Sequence, residues 1–280
     1  METKITAHCL VKNEERFVWY SVMSVIDFID EILLWDTGST DKTKEIIKLI
    51  SRENSKVKTN YLKSVTPEEF ADVRQAMLDA TDSDWFVLVD GDEVWWGDSM
   101  CHLLSTIKEE GHKLESIVVP TINLVGDMYH YQEEVAGLYR FGNKRGHYNL
   151  RAVNKNIPGL HSANPHGTWG WADEDGKQIQ NRDSKKIKFI DAPYLHASFL
   201  QRAGALAGQK DVPKRAQKLK YEIGETFPLD FYYPEVFFRP KPDVVPNIWE
   251  PMSNEFKQKA LWQTPLRKLK RRILPAKVGY

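Results

Sequence analysis

Residues 85–93 read Trp85-Phe86-Val87-Leu88-Val89-Asp90-Gly91-Asp92-Glu93. Five consecutive apolar residues make a strand's length, and a run without polar alternation predicts a strand buried on both faces. The run stops at two carboxylates two residues apart. At the end of a buried strand such groups must be solvated, ion-paired or bound to a cation. Alternate residues of an extended chain face the same way, so Asp90 and Asp92 are expected to address one ion. Oxygen ligands suit Mg2+ or Mn2+, above all where phosphate completes the shell. Asp-Gly is also a common turn pair, and a plain acidic turn is the competing reading.

Upstream, three more apolar runs read as strands: Ile5–Val11, Glu31–Trp35 and Val57–Leu62. Between them lie helical patterns. Phe17, Val18, Val22 and Val25 recur at helical spacing, as do Ile46, Ile47 and Ile50 after a cap at Thr40 or Asp41. Thr66-Pro67-Glu68-Glu69 opens a third helix, with Thr66 and Glu69 at the two positions of a capping box. Strands alternating with helices over about 90 residues predict a parallel sheet with right-handed crossovers. Ligands bind such sheets beyond the carboxyl ends of the strands. Lys12-Asn13-Glu14-Glu15, Asp36-Thr37-Gly38-Ser39 and Asp90-Gly91-Asp92 each fall at such an end. An Asp in the place of Asp36 can accept hydrogen bonds from a nucleobase or ribose; a capping loop is the alternative. No glycine triplet and no Gly-Lys-Ser/Thr phosphate loop is present.

After residue 100 the periodicity weakens. Residues 99–110 read as helix, and Ser116–Ile122, Ile187–Ile190 and Tyr194–His196 as short strands. Gln209–Thr226 reads as a basic helix, and the six prolines of 228–251 predict an extended aromatic wrap. Composition is that of a globular chain, with 41% hydrophobic and 28% charged residues. Two cysteines far apart exclude a disulfide framework, and no stretch approaches the ~20 apolar residues of a membrane span. With an N-terminus that lacks a signal-peptide layout, this predicts a reducing, cytoplasmic compartment.

The formal net charge of zero divides unevenly. No acidic residue follows Glu255, whereas eight basic ones do, so the body carries −8 and the tail +8. An acidic body argues against nucleic acid as a partner. Leu266, Leu269 and Ile273 share one helical face of the basic tail. That pattern suits an anionic membrane surface, making the protein peripheral there. A tail docked on the chain's own acidic body is the alternative.

Three segments together resemble the family 2 glycosyltransferases of the GT-A fold. They are Val11-Lys12-Asn13-Glu14-Glu15, then Asp30-Glu31-Ile32 through Asp36-Thr37-Gly38-Ser39-Thr40-Asp41-Lys42-Thr43, then Arg74 through Trp85 to Asp90-Gly91-Asp92-Glu93. The resemblance covers residues 5–95. It implies an α/β fold of GT-A type: a Rossmann-like, mostly parallel sheet with flanking helices, an irregular acceptor half and an extended C-terminal region. On that basis residues 1–100 form the nucleotide-sugar half and 101–205 the acceptor and metal half. A basic helix and Pro/aromatic wrap follow over 206–255, and a basic tail over 256–280.

The resemblance also implies inverting transfer of a sugar from a nucleotide-diphosphate donor, uridine-linked, to a glycan or lipid-linked acceptor, with Mn2+ or Mg2+. Asp36 would bind the base, and Asn13 and Glu14 would line the nucleotide pocket. Arg74 would stand near the nucleotide, and Asp90 would reach the ribose or the metal. Asp92 would hold the metal, and His196 in Tyr194-Leu195-His196 would be its third ligand, with His161 and His166 as alternatives. Ser162 departs from the family's Glu after a His. An inverting transfer needs a base for the acceptor hydroxyl. Asp173, then Glu174, are the candidates, in Trp169-Gly170-Trp171-Ala172-Asp173-Glu174, where Trp rings can stack on a sugar. Trp95 and Trp96 either wall the acceptor or pack under a neighbouring loop. A nucleotidyltransferase on the same scaffold and a non-catalytic nucleotide-sugar-binding module are the other two classes.

Overall fold

The computed structural model describes residues 3–141, 144–200 and 220–273. Four parallel strands and their crossover helices open the chain: β1 (Ile5–Val11), α1 (Val18–Val25), β2 (Glu31–Asp36), α2 (Thr43–Glu53), β3 (Val57–Tyr61), α3 (Phe70–Asp79) and β4 (Trp85–Leu88). They pair in the order β3-β2-β1-β4. The alternation of strand and helix demands this, because each helix must carry the chain back across the sheet. At the head of α3 the capping box is reciprocal: the Thr66 N–H donates to Glu69 Oε2 at 2.9 Å and the Glu69 N–H to Thr66 Oγ1 at 3.3 Å. β4 is buried on both faces, as its unbroken apolar run requires. Trp85 and Val87 enter one core cluster, Phe86 and Leu88 the other.

The chain then forms β5 (Glu93–Trp95), α4 (Gly97–Glu110), β6 (Ser116–Val125), β7 (Asp127–Tyr131), β8 (Tyr139–Phe141), β9 (Lys144–Gly146) and β10 (Tyr148–Asn154). β11 (His161–Ala163), β12 (Gly170–Ala172), β13 (Ile187–Phe189), β14 (Tyr194–Phe199), β15 (Glu225–Thr226) and α5 (Asn254–Ile273) complete it. β10 lies antiparallel to β4 and joins β6 to the sheet. β6 is the hub. Its first half pairs with β10 and β13, and its second with β14 and β7. The result is a mostly parallel α/β sheet with helices on its flanks and a smaller mixed extension at one end.

Two expectations change. Residues 123–185 hold six strands, β7 to β12: β8–β9 and β11–β12 are hairpins of three-residue strands, β7 pairs with β6, and β10 lies between β4 and β6, so no long periodic signature runs through them. Of the expected basic helix, 209–219 lie outside the described residues, and the rest is not helical: Glu225–Thr226 pairs with β7. The tail is a helix from Asn254, and 274–280 lie outside the described residues. Residues 228–251 hold one short turn of helix at Glu235–Phe238 and no strand. Their rings pack on the body, with Phe237 edge-on to Tyr20 and the Tyr233 hydroxyl donating to the Met128 carbonyl at 2.8 Å. Among the described residues no helix is long and apolar enough to cross a membrane.

Candidate active site

The parallel register brings Val11 beside Asp36 and His8 beside Leu88, so β1, β2 and β4 end on one rim. At β2, Asp36 is fully buried. Its Oδ1 accepts from the Gly38 N–H at 3.0 Å and the Ser39 N–H at 2.9 Å, while Oδ2 has no hydrogen-bond partner. A buried carboxylate oxygen without a donor is costly and waits for one. Gly38 makes the loop: its φ is +90°, and a Cβ there would lie 2.9 Å from the Ser64 Cα and N.

The loop after β1 is laced to the loop after β2. Asn13 adopts a left-handed φ of 56°, which Asn tolerates better than most residues. Its Oδ1 accepts from the Thr40 N–H at 2.7 Å, its own N–H donates to Ser39 Oγ at 2.8 Å, and the Glu14 N–H donates to Thr43 Oγ1 at 2.8 Å. Asn13 therefore spends its carbonyl on shaping the rim. Glu14 is buried against Gly91, where a Cβ would fall 3.0 Å from Glu14 Cγ and 2.6 Å from Val11 Cγ1. Gly91 is needed for this close approach.

Asp90 to Glu93 is a turn, closed by the Glu93 N–H to the Asp90 carbonyl at 3.0 Å. The two-residue strand alternation is thereby interrupted between Asp90 and Asp92. Asp90 faces two guanidinium groups: Arg74 Nη2 donates to Oδ1 at 3.2 Å and Arg151 Nη2 to Oδ2 at 3.3 Å. Burial alone would raise the Asp90 pKa, but Arg151 and Arg74 together hold it below the usual carboxylate value. Its side chain keeps 35% of its surface open, between arginines that keep 5% and 10%. Arg74 lies over the Phe70 and Trp169 rings, with Nε and Nη1 buried and without hydrogen-bond partners. Arg151 also bonds Glu93, and its Nε donates to the Tyr194 hydroxyl at 3.0 Å. Burial, opposed by Arg151, pushes the Glu93 carboxyl up to about 7.

Asp92 lies beside β14. β14 pairs antiparallel with β5, setting His196 opposite Glu93 and bonding the Ala197 N–H to the Asp92 carbonyl at 2.9 Å. His196 Nε2 thus comes within 3.4 Å of Asp92 Oδ1. Among the described residues no three His, Cys, Asp or Glu side chains converge on a point. The donor set is a carboxylate oxygen beside an imidazole nitrogen. That pair fits a divalent cation which takes its remaining ligands from a substrate, and the imidazole favours Mn2+ over Mg2+.

Residues 9–165, more than half of the chain, match the sequence model described as glycosyl transferase family 2. The chain belongs to that family.

No curated protein sequence matches this family 2 glycosyltransferase. Solved structures do, at low identity. TarS from S. aureus is 13% identical with a TM-score of 0.46, over 70% of this chain and 37% of that one. TarS 1–349 in complex with UDP-GlcNAc is 14% identical with a TM-score of 0.47, over 72% and 59%. Glucosyl-3-phosphoglycerate synthase from Mycobacterium tuberculosis, in complex with Mn2+, UDP-Glc and phosphoglyceric acid, is 15% identical with a TM-score of 0.44, over 69% and 72%. The chain spans less than two thirds of either TarS chain.

The remaining residues picked from the sequence of this glycosyltransferase fall elsewhere. Asp173 is buried at the turn after β12. Its Oδ1 accepts from the Asp175 N–H at 3.1 Å and the Lys177 N–H at 2.9 Å, and Oδ2 is ion-paired with Arg182. Burial would raise its pKa, but the backbone donors and Arg182 outweigh that and hold it low. A carboxylate so saturated is a weak base, and these bonds give Asp173 a structural task at the turn. Glu174 is exposed on the same turn. His161 and His166 belong to the β11–β12 hairpin over α3: His161 Nδ1 contacts the Gly159 carbonyl at 2.9 Å, and the His166 ring meets Phe70 edge-on. Ser162 accepts from Trp169 Nε1 at 2.8 Å. Trp95 stacks on Tyr194 in the core, and Trp96 Nε1 donates to the Tyr232 carbonyl at 2.9 Å, so both pack under their neighbours.

Arg151 and Tyr194 belong to no functional motif of the sequence. The one available clue was a charged residue inside the apolar run Leu150-Arg151-Ala152-Val153, which demands a buried partner that only the fold supplies.

Proposed function

We propose that this family 2 glycosyltransferase moves a sugar, with inversion, from a uridine diphosphate donor to a glycan or lipid-linked glycan acceptor. The observation that carries the reading is the meeting of Asp92 and His196, from two halves of the chain, beside the Asp90 rim. These two side chains would hold Mn2+ or Mg2+, which when bound supplies positive charge to the departing diphosphate. Asp36 Oδ2 is an acceptor without a donor, which the N3–H of a uracil ring would meet. Arg74 and Arg151 keep Asp90 ionised and fixed for a ribose hydroxyl, and the unpartnered Arg74 N–H groups favour an anion nearby. The acceptor hydroxyl attacks the anomeric carbon, its bond to the diphosphate breaks, and the hydroxyl proton passes to a base.

A panel of nucleotide sugars with Mn2+, scored for nucleoside diphosphate, tests this. Uridine donors should be turned over, and Asp92→Asn and His196→Gln should each lower the rate on the order of a hundredfold. Undiminished turnover by Asp92→Asn removes the metal assignment. Release of pyrophosphate identifies a nucleotidyltransferase instead. Nucleotide binding without any release identifies a binding module.

A further inference from the structure

Helix α5 has two faces with opposite fates. Its inner face is docked on the acidic body. Phe256 and Ala260 are buried with Met252 against Tyr221 and Ile223, and the Ile223 N–H donates to Thr264 Oγ1 at 2.8 Å. Arg271 is ion-paired with Glu222 and Glu133, and Lys268 with Glu225. Gly126, at a φ of +79°, lets this face approach closely, because a Cβ there would lie 2.8 Å from Met252 Cε and 3.0 Å from Phe256 Cε1.

The outer face is apolar and uncovered. Trp262, Leu266, Leu269 and Ile273 follow at spacings of four, three and four, which makes one stripe along the helix. They are 82%, 68%, 55% and 65% exposed. Scattered apolar residues on a surface need no account, but a contiguous row does. Exposed Lys259 and Lys270 flank the stripe on one side and Arg272 on the other, Lys259 in a surface pair with Glu255. Pro265 lies on the exposed side of the helix, where water can take the Leu261 carbonyl bond that its ring forgoes.

We propose that this outer face docks on an anionic lipid bilayer, with α5 lying in the plane of the surface. Its charge decides the occupant. An apolar stripe between cationic flanks, with no acidic residue after Glu255, complements anionic headgroups above acyl chains. Trp262 is the residue type that settles at that boundary. A second copy of the helix would bring the same cations against each other, which disfavours self-pairing. The docked helix adjoins the acceptor half: Arg271 is ion-paired with Glu133, whose carbonyl lies 3.2 Å from His147 Nε2, just before β10. That placement suits a lipid-linked acceptor, a corollary that alone rests on the proposed transferase activity.

The test is co-sedimentation of the full chain with phosphatidylcholine vesicles, with and without about one-third phosphatidylglycerol. The protein should bind the anionic vesicles, with less binding as salt rises. Leu266→Gln with Leu269→Gln should lower partition at least ~10-fold. Lys270→Gln with Arg272→Gln should lower it ~30-fold on anionic vesicles and little on neutral ones. Both double variants should keep the helical dichroism and donor turnover of the parent, which separates this result from any failure of the donor reading. Three outcomes overturn the proposal: no binding to anionic vesicles, binding untouched by the leucine substitutions, or a solution dimer that those substitutions split.

Discussion

Acid should destabilise this protein in part through His8. The ring is fully buried in β1, stacked on Phe86 at 4.4 Å. Its Nε2 lies 2.6 Å from Thr81 Oγ1, and the Thr81 hydroxyl donates to the Met77 carbonyl at 2.7 Å. Thr81 must then accept from His8, which puts the ring proton on Nε2 and leaves Nδ1 as a bare lone pair with no partner. A second proton would have to sit on Nδ1 without an acceptor. Burial, then the charges of Arg74 and Lys155, hold the His8 pKa well below its ordinary 6.5. In the unfolded chain the same ring takes a proton near 6.5. Its contribution to stability is therefore complete above pH 6.5 and is lost as pH falls toward the depressed native value. Each pH unit costs about 1.4 kcal/mol, so about 2 kcal/mol disappears between pH 6.5 and 5. That is a large share of the ~5–15 kcal/mol typical of a domain. His8→Phe keeps the stack and cannot be protonated. Urea unfolding followed by Trp fluorescence at pH 8, 6.5 and 5 should show the variant about 1–2 kcal/mol weaker at pH 8, from mild overpacking and a lost hydrogen bond. The gap should close by about 2 kcal/mol at pH 5. Other titrating groups, including His147, lowered to about 4, are common to both proteins and cancel. A gap that stays constant from pH 8 to 5 refutes the reasoning.

Asp173→Asn should lower the unfolding midpoint, because the turn and Arg182 lose their shared anion, while turnover per folded molecule persists; Glu174→Gln should change neither. Lost turnover in a fully folded Asp173→Asn protein would return Asp173 to the chemistry. Gly38→Ala forces a side chain into a left-handed position and against the Ser64 backbone, at a cost of about 2–3 kcal/mol. Since Gly38 and Ser39 donate to Asp36, uridine diphosphate affinity by calorimetry should fall with it, and unchanged affinity and stability would show that the loop is not held as described.

What could be read early was what depends on neighbours in the chain. The Thr66–Glu69 capping box is four residues long and forms as its spacing demands. The apolar run 85–88 enters two cores because every side chain in it is apolar, whichever way the pleat sends it. The hairpins between 123 and 185 escaped because three-residue strands leave too little alternation to detect. The Asp90–Asp92 pair shows a local limit too: the turn at Gly91 interrupts the two-residue period from which a common address was read.

By itself, then, the sequence determined the strand–helix alternation, the rim where β1, β2 and β4 end, and the uneven division of charge, all of which follow from short-range pattern. Tertiary structure decided who meets whom. Arg151 reaches Asp90 from 61 residues away, and His196 reaches Asp92 only because β14 pairs with β5. It also split the basic tail by face. Arg271 is neutralised against Glu222 and Glu133, while the Trp262–Ile273 stripe is left outside. Periodicity says which residues share a side of a helix; only packing says which side the protein has already covered.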